Sequence, residues 1–302
     1  MIEEMGGDFL QWLRGFYYVA KTGSVTLAAH EMGRNQPTVS HQVKCLENEF
    51  GVIFFDRSGG KMTLTPEGRI FLEKTISLFE IIKEMKSEIA NERLPHKGEI
   101  IIATTHAISC YYLPRFIVDF HNEYPNVKIK VEGGGLEMIK ENLETDEADF
   151  GIAIFDDIPE ILDYYEIFQT GLRLITAKKD PVFNSQKVTL EQIANIPFIL
   201  FPRTSSITPL IEKRFAENNL ELNVVMTLNN YEDVKRYVGL GVGVAILDEY
   251  ALNEEDEKKL NIFPVDQFFG ERRCGLIMRK RKYLSPPVKE ILRYIKPDIN
   301  IK

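Results

Sequence analysis

The chain has 302 residues, of which 44% are hydrophobic, and a formal net charge of −8 at pH 7. This length allows two or three domains with well-buried cores. We find no apolar run long enough to cross a bilayer and no signal peptide at the acidic N-terminus, so we expect neither a membrane-spanning nor an exported protein. Cys45, Cys110 and Cys274 are odd in number and widely spaced. They argue against a disulfide framework or a structural zinc site, and we expect a cytoplasmic protein.

Residues 24–47 predict two short helices joined by a tight turn. Ser24 can cap the first helix, Gly33 permits the left-handed conformation that ends it, and Asn35 can cap the second. The apolar residues of the second helix step by four, three and four, which predicts one buried face. They are Val39, Val43, Leu46 and Phe50.

The polar residues of the second helix lie on another face. Gln36, Ser40 and Lys44 step by four, and Thr38, His41 and Gln42 flank them. Such side chains can bond base edges and phosphates, and a helix of this size fits the major groove of DNA. An ordinary helical hairpin with a solvated polar face remains an alternative on this stretch alone.

The next segment predicts a two-stranded wing. Residues 53–57 and 62–64 read as strands around a turn at residues 58–61. In this arrangement Arg57 and Lys61 would hold phosphate or enter a minor groove. Thr65 and Pro66 then open a new helix.

Residues 16–68 carry a family resemblance. The matching residues are Gly23-Ser24, Ala28-Ala29, Gln36-Pro37, Ser40, Gln42, Leu46-Glu47, Phe54-Phe55, Arg57 and Leu64-Thr65-Pro66-Glu67-Gly68. With these residues the segment resembles the winged helix-turn-helix of LysR-type transcriptional regulators. The length and layout of the remainder also fit, so the resemblance covers nearly the whole chain.

This resemblance implies a regulator, not an enzyme, that binds double-stranded promoter DNA as a homodimer or dimer of dimers. Residues 1–66 would form the DNA-binding domain. His41 stands where the family usually has Arg, which predicts a different operator preference. The residues expected at the DNA are Arg34, Asn35, Gln36, Pro37, Thr38, Ser40, His41, Lys44, Arg57 and Lys61.

A long helix is predicted to follow. Its apolar residues repeat at alternating steps of four and three, as in a coiled-coil seam of about three heptads. The resemblance identifies residues 67–92 as the helix that pairs protomers, although a helix buried within one chain is the alternative. The expected dimer contacts are Phe71, Leu78, Ile82, Met85 and Ile89. Residues 91–98 predict a hinge.

From Glu99 onward, apolar strands alternate with helices, which predicts an α/β domain of parallel sheets covered by helices. The resemblance makes residues 93–302 an effector-binding domain with two lobes around a cleft, similar to periplasmic solute-binding proteins. Lobe I would comprise residues 98–168 and 270–302, and lobe II residues 169–269.

Ligands of open α/β sheets bind beyond the carboxyl ends of the strands, near helix N-termini. Residues 104–109, 201–206 and 229–231 should meet there. Their hydroxyls and the helix amides suit an anion, and Arg203 would add a charge-assisted bond. Helix capping is the alternative role for each Thr and Ser. The expected effector contacts are Thr104, Thr105, His106, Ser109, Arg203, Thr204, Ser205 and Asn230.

Residues 104–106 also resemble one branch of the LysR-type regulators. That branch includes regulators of cysteine biosynthesis, which respond to sulfur-containing anions and acylated serine. This chain departs from that branch at Ala107-Ile108 and at Ile154, where hydroxyl and amide donors are missing. A partly apolar organic acid is therefore a better candidate than a small inorganic anion.

Other patterns are set aside. Residues 239–243 fail the glycine spacing of a dinucleotide loop, the histidines lack metal-ligand spacing, and no nucleophile elbow is present, so no cofactor, metal or catalytic residue is expected. We expect Cys110 to be a buried inert thiol and residues 279–282 to form a basic surface turn. The alternative function is an α/β enzyme or a solute-binding protein that carries a DNA-binding module.

Overall fold

The structure is a computed structural model that describes residues 8–56, 62–89, 97–155, 158–179 and 188–300. The chain divides into two compact units, residues 1–92 and 93–302. No helix in these described ranges is both long and apolar enough to cross a membrane.

The first unit is a helix-turn-helix followed by a short wing and a long helix. Its elements are α1 (Phe9–Thr22), α2 (Val25–Glu31), α3 (Gln36–Phe50), β1 (Phe55–Asp56), β2 (Thr63–Leu64) and α4 (Pro66–Ile89).

Local capping sets the ends of α2 and α3. The Ser24 hydroxyl accepts a hydrogen bond from the Leu27 amide at 3.4 Å, and Asn35 Oδ1 accepts one from the Thr38 amide at 3.0 Å. Gly33, between the two helices, has a φ of 61°. These caps and this turn confirm the predicted helix-turn-helix.

The buried face of α3 is shorter than predicted. Val39, Val43 and Leu46 are buried, but Phe50 is 49% exposed, so its assignment to the core was wrong. Phe50 is the last residue of α3 and lies at the edge of the core, where its ring is 4.9 Å from that of Phe71. The helix ends there because Gly51 adopts a left-handed conformation.

The wing strands are also shorter than predicted. β1 and β2 pair antiparallel through Phe55 with Leu64 and Asp56 with Thr63. The carbonyl of Ile53 accepts the Thr65 hydroxyl at 2.8 Å, and that of Phe54 accepts the Thr65 amide at 3.0 Å. Pairing ends there because Pro66 has no amide hydrogen and begins α4. Arg57 and Lys61 lie outside the described residues.

Helix α4 packs its first turns onto the same unit. The Phe71 ring stacks on Phe54 at 4.3 Å and meets Phe16 edge-on at 4.9 Å. Phe71 therefore belongs to the core of its own domain, which corrects its assignment to the dimer contact. Farther along the helix, Leu78 and Ile82 are half-buried and Met85 is exposed. The side chain of Ile89 lies outside the described residues.

The described part of the second unit has ten strands and nine α-helices. In chain order these are β3 (Gly98–Thr104), α5 (His106–Tyr111), α6 (Pro114–Glu123), β4 (Val127–Gly133), α7 (Leu136–Glu144), β5 (Phe150–Ile154), β6 (Leu162–Thr170), β7 (Leu172–Ala177), α8 (Leu190–Ala194), β8 (Phe198–Leu200), α9 (Ile207–Glu217) and β9 (Val224–Thr227). There follow α10 (Tyr231–Gly239), β10 (Ala245–Asp248), α11 (Glu254–Lys259), β11 (Leu260–Pro264), α12 (Asp266–Phe269), β12 (Arg272–Arg279) and α13 (Pro286–Ile295).

These elements form two lobes with separate cores. The first lobe has a sheet of order β4-β3-β5-β12-β6, and the second has strands ordered β10-β7-β11 and β8-β9. A single bridge between Phe198 and Val244 joins the two strand groups of the second lobe. The buried apolar residues of the second lobe fall within residues 172–269. Those of the first lobe lie within residues 100–162 and 274–295.

The sheets are mixed, so the prediction of purely parallel sheets was wrong. β3 pairs parallel with β4 and β5, whereas β12 runs antiparallel to β5 and β6. In the second lobe, β7 pairs antiparallel with both β10 and β11. The chain leaves the first sheet through β6 and returns through β12. The returning strand must therefore run against its neighbours.

Gly68 offers a test of packing in the first unit. A Cβ at this position would overlap the Phe54 carbonyl oxygen, and backbone atoms cannot move aside easily. We expect Gly68→Ala to destabilise the unit by about 1–3 kcal/mol. Urea unfolding can be followed by fluorescence of Trp12, the one tryptophan of the chain.

Lys74→Ala, at an exposed position of the same helix, is the matched control and should change stability by less than about 0.5 kcal/mol. Equal stability of the two variants would contradict the close approach at Gly68.

Candidate functional sites

Helix α3 presents a polar surface, which we call the recognition face. It consists of Arg34, Asn35, Gln36, Pro37, Thr38, Ser40, His41 and Lys44. All of these residues are exposed except Ser40, which is half-buried. Two cations and several hydrogen-bonding groups thus lie at and near the start of one helix.

Some of these side chains already have local partners. Asn35 Oδ1 accepts both the amide of Thr38, at 3.0 Å, and its hydroxyl, at 2.5 Å. His41 Nδ1 lies 3.0 Å from Cys45 Sγ, one helical turn further on. Asn35 and Thr38 therefore fix the start of the helix, while Gln36 and Lys44 extend from it.

Gln42 does not share this surface. Its side chain packs against α1, where a Cβ at Gly15 would overlap it. The prediction that Gln42 flanks the groove-facing residues was therefore wrong. Gln42 instead fills the contact between α1 and α3.

The second unit contains a cleft of about 310 Å³. The N-terminal ends of four helices contribute to its lining, namely α5, α7, α9 and α10. Their N-cap residues are Thr105, Gly135, Ser206 and Asn230. All four caps lie in the lining, so the amide-rich ends of the helices face one space.

The four caps differ in how far they satisfy these amides. Thr105 accepts the Ile108 amide at 3.4 Å, and Asn230 Oδ1 accepts the Asp233 amide at 2.8 Å. Gly135 and Ser206 make no side-chain cap. Ser205 Oγ accepts the Ile207 amide at the start of α9 at 3.4 Å. The ends of α7 and α9 otherwise lack a capping side chain, and they present the positive end of the helix dipole to the cleft.

Five of the eight predicted effector residues line the cleft. They are Thr105, His106, Thr204, Ser205 and Asn230. They belong to the three segments that the sequence placed at the ends of the strands.

The other three predicted residues do not line it. Thr104 is fully buried and donates its hydroxyl to the Ile152 carbonyl at 2.6 Å. The Ser109 hydroxyl donates to the His106 carbonyl at 2.9 Å. The side chain of Arg203 is 82% exposed and pairs with Glu212 at 3.1 Å. Arg203 therefore supplies no charge to the cleft.

The sequence analysis missed a buried network at the floor of the cleft. Arg272 Nη1 donates to Asp248 Oδ1 at 2.6 Å, and Arg272 Nη2 donates to Ser206 Oγ at 2.7 Å. The Tyr231 hydroxyl donates to the other Asp248 oxygen at 2.7 Å. A charged residue directly after the apolar run 244–247 was the available signal for Asp248.

Asp248 and Arg272 form an ion pair in which both side chains are almost fully buried, with exposures of 3% and 4%. Burial disfavours the charged form of Arg272, but the Asp248 carboxylate outweighs this effect and raises the pKa of Arg272. Burial, together with the Asp248 charge, raises the pKa of Tyr231, so its hydroxyl stays a donor. Among the described residues that line the cleft, none is Lys or Arg.

Two minor expectations are corrected. Cys110 is exposed rather than buried. The basic run 279–282 is not a continuous surface, because Arg279 is buried and Lys282 pairs with Asp146. In the part of the chain that the structure describes, no group of three metal-ligating side chains is present.

The buried pair gives a stability prediction for the second unit. Asp248→Ala leaves the Arg272 charge buried without its carboxylate, and we expect a loss of about 3–5 kcal/mol. Unfolding in urea, followed by helical circular dichroism, measures this loss. Arg203→Ala removes a largely exposed ion pair and should cost at most about 1 kcal/mol. A similar loss of unfolding free energy in both variants would show that the buried network does not stabilise the second unit.

Comparison with known proteins finds a family match for each unit. The protein-family model described as LysR substrate binding domain matches residues 94–299. The model described as bacterial regulatory helix-turn-helix protein, lysR family, matches residues 10–69.

Two curated relatives align with the chain over most of their length. The chain is 30% identical over 283 residues to the HTH-type transcriptional activator CmpR of Synechocystis sp., covering 93% of this chain and 92% of that protein. It is 28% identical over 290 residues to the HTH-type transcriptional regulator CysB of Burkholderia cenocepacia, with coverages of 94% and 91%.

A solved structure of a full-length OxyR variant from Pseudomonas aeruginosa shares the fold. Its TM-score is 0.69 at 18% identity, and the match covers 95% of each chain. The curated relatives are transcription regulators rather than enzymes, which removes the enzyme alternative. With a helix-turn-helix unit and a two-lobed effector-binding unit, this chain belongs to the LysR family of DNA-binding transcription regulators.

Proposed function

We propose that this regulator reads its promoter through the recognition face and that a small organic anion in the cleft controls its activity. The observation that carries the effector proposal is the convergence of four helix N-termini on one cleft, whose described lining residues include no Lys or Arg. Backbone amides and helix dipoles would then supply the positive potential.

The size and lining of the cleft favour a modest organic acid. A volume of about 310 Å³ lies at the lower end for small-molecule sites. Leu136, Phe201 and Tyr231 provide apolar surface beside the hydroxyls of Thr105 and Ser206. A carboxylate would bind at the helix ends while a short carbon skeleton packs on the apolar side.

On the DNA side, we propose that Gln36, Ser40 and His41 contact bases, whereas Arg34 and Lys44 contact phosphates. Pro37 and Thr38 would pack at the groove edge, and Asn35 would hold the start of α3. Arg57 and Lys61 remain proposed contacts of the wing. Exposure of the recognition face supports this division of roles.

We also propose that α4 pairs two protomers and that two such dimers bind one promoter. Ile70, Ile81 and Met85 are exposed on this helix, although they are large and apolar. Leu78 and Ile82, and the predicted Ile89, would extend this contact. The proposed domain limits are residues 1–66, 67–92 and 93–302.

The DNA proposal is tested by salt-dependent binding to a mapped promoter fragment. Lys44→Ala should weaken binding to all sequences about equally and reduce the salt slope by about 1 per headgroup, because one phosphate contact is lost. Lys128→Ala removes an exposed cation of the second unit and should change neither quantity.

In a randomised operator library, His41→Arg should shift base preference. An unchanged preference would contradict a base contact at position 41.

The effector proposal is tested by thermal unfolding of the full chain. Sodium acetate, butyrate, succinate and sulfate are compared with sodium chloride at equal ionic strength. At least one organic acid should raise Tm by about 3 °C or more at saturation, because binding to the folded state stabilises it. Stabilisation by sulfate and by none of the acids would overturn the organic-acid assignment.

A matched pair of serine variants locates the binding. Ser206→Ala should reduce the stabilisation by the organic acid, because its hydroxyl lines the cleft. Ser109→Ala removes a hydroxyl that is bonded to its own helix outside the lining and should not. Equal responses of the two variants would place the acid elsewhere.

A further inference from the structure

A tyrosine hydroxyl bonds across the two lobes beside the cleft. Tyr111 is the last residue of α5 in the first lobe, and Glu232 is the second residue of α10 in the second lobe. The Tyr111 hydroxyl donates to Glu232 Oε1 at 2.5 Å. Neither residue belongs to the cleft lining.

A buried lysine holds the second-lobe end of this contact. Lys235 Nζ lies 2.7 Å from Glu232 Oε1 and 2.9 Å from Asp256 Oδ2, and it donates to the Ala251 carbonyl at 3.1 Å. Its side chain is only 4% exposed. Three acceptors thus fix the ammonium group, and through it the position of Glu232.

Tyr111 also contacts this cluster with its ring. The Lys235 ammonium lies 4.8 Å from the Tyr111 ring centroid, within the range of a cation–π interaction. The rings of Tyr111 and Tyr231 are nearly parallel, with centroids 6.1 Å apart. Tyr111 therefore meets the second lobe through both its ring and its hydroxyl.

The ionisation states suit a charge-assisted bond. Burial acts to raise the pKa of Glu232, but hydrogen bonds from Lys235 and Tyr111 outweigh it and lower that pKa, so the carboxylate is ionised at neutral pH. Burial, and then the bond to Glu232, raises the pKa of Tyr111, so the phenol remains protonated. Such bonds are stronger than those between neutral groups.

The N-terminal ends of both joined helices, α5 and α10, line the cleft. Tyr111 lies at the opposite end of α5, whereas Glu232 lies close to the N-terminal end of α10. α5 has six residues, so Tyr111 lies about 8 Å along the helix axis from His106 at its start. Glu232 directly follows Asn230 and Tyr231, which line the cleft. The contact between Tyr111 and Glu232 therefore joins two helices whose N-terminal ends line the cleft.

We infer that Tyr111 and Glu232 are positioning residues that tether the lobes and set the spacing of the α5 and α10 N-termini for the effector. This inference rests on the proposed function of the cleft. The pair acts through the helix ends and does not touch the ligand, so its loss should change affinity through geometry.

Tyr111→Phe is the most selective test. It removes only the hydroxyl, keeps the ring against Lys235, and leaves Glu232 paired with that lysine. No buried charge loses its partner, so the chain should fold with nearly unchanged Tm. Tyr237→Phe is the matched control, because it removes a hydroxyl from the same helix α10 at a side chain that is 38% exposed.

The first measurement needs no ligand. Amide hydrogen exchange of the full chain should become several-fold faster in α5 and in the first turn of α10 for Tyr111→Phe, with other helices unchanged. Tyr237→Phe should match the unaltered chain. Equal exchange in the two variants would overturn the tether.

The second measurement is affinity for the acetate, butyrate or succinate that stabilises the unaltered chain. Tyr111→Phe should weaken it about threefold to tenfold, as expected for the indirect effect of one charge-assisted bond. Glu232→Gln keeps an acceptor but loses the charge. Its affinity for the acid should lie between that of the unaltered chain and that of Tyr111→Phe. A purely structural role would lower Tm without this graded order of affinities.

The outcomes separate the two proposals. Faster exchange with unaltered affinity would refute the positioning role while leaving the effector site intact. Faster exchange when no acid binds even the unaltered chain would support the tether and contradict the proposed effector class.

Discussion

The buried ion pair between Asp248 and Arg272 is the interaction on which the effector-binding unit depends. Arg272 begins the strand that returns to the first lobe, and Asp248 ends a strand of the second lobe. Two charges with almost no solvent contact remain in place only if their hydrogen bonds are complete. Tyr231 and Ser206 complete them, and both also line the cleft. The floor of the ligand space and the junction of the lobes are therefore one structure.

In this arrangement the buried arginine and the groups proposed to bind the effector are different parts of the structure. The single guanidinium near the floor is neutralised by its carboxylate, so it is not free to bind an anion by itself. In the proposed binding mode, an anion would instead meet peptide groups at helix ends, whose direction is fixed by the backbone. Such donors need no side-chain ordering when a ligand arrives. The proposed site depends on the relative placement of helices that belong to different lobes.

Sequence reasoning succeeded where structure is set locally. The caps at Ser24 and Asn35 and the strand–loop–helix segments around Thr105 and Asn230 follow from neighbouring residues. It failed where distant segments decide. Nothing near Arg203 showed that Glu212 would draw it outward, and nothing near Arg272 showed that Asp248 would lie beside it. Phe71 fitted a heptad pattern, yet three aromatic rings of its own domain surround it. The antiparallel strands likewise depend on how the chain crosses between lobes.

The bond from Arg272 to Ser206 has a consequence for ligand selection. A hydroxyl has one proton and two lone pairs, and the guanidinium takes a lone pair of Ser206. The proton of Ser206 is then free to point toward the ligand space, and the nearby cation polarises it further. The α9 amides beside it can only donate. If the effector is the organic acid proposed above, we expect its carboxylate to accept from these donors on the α9 side of the cleft.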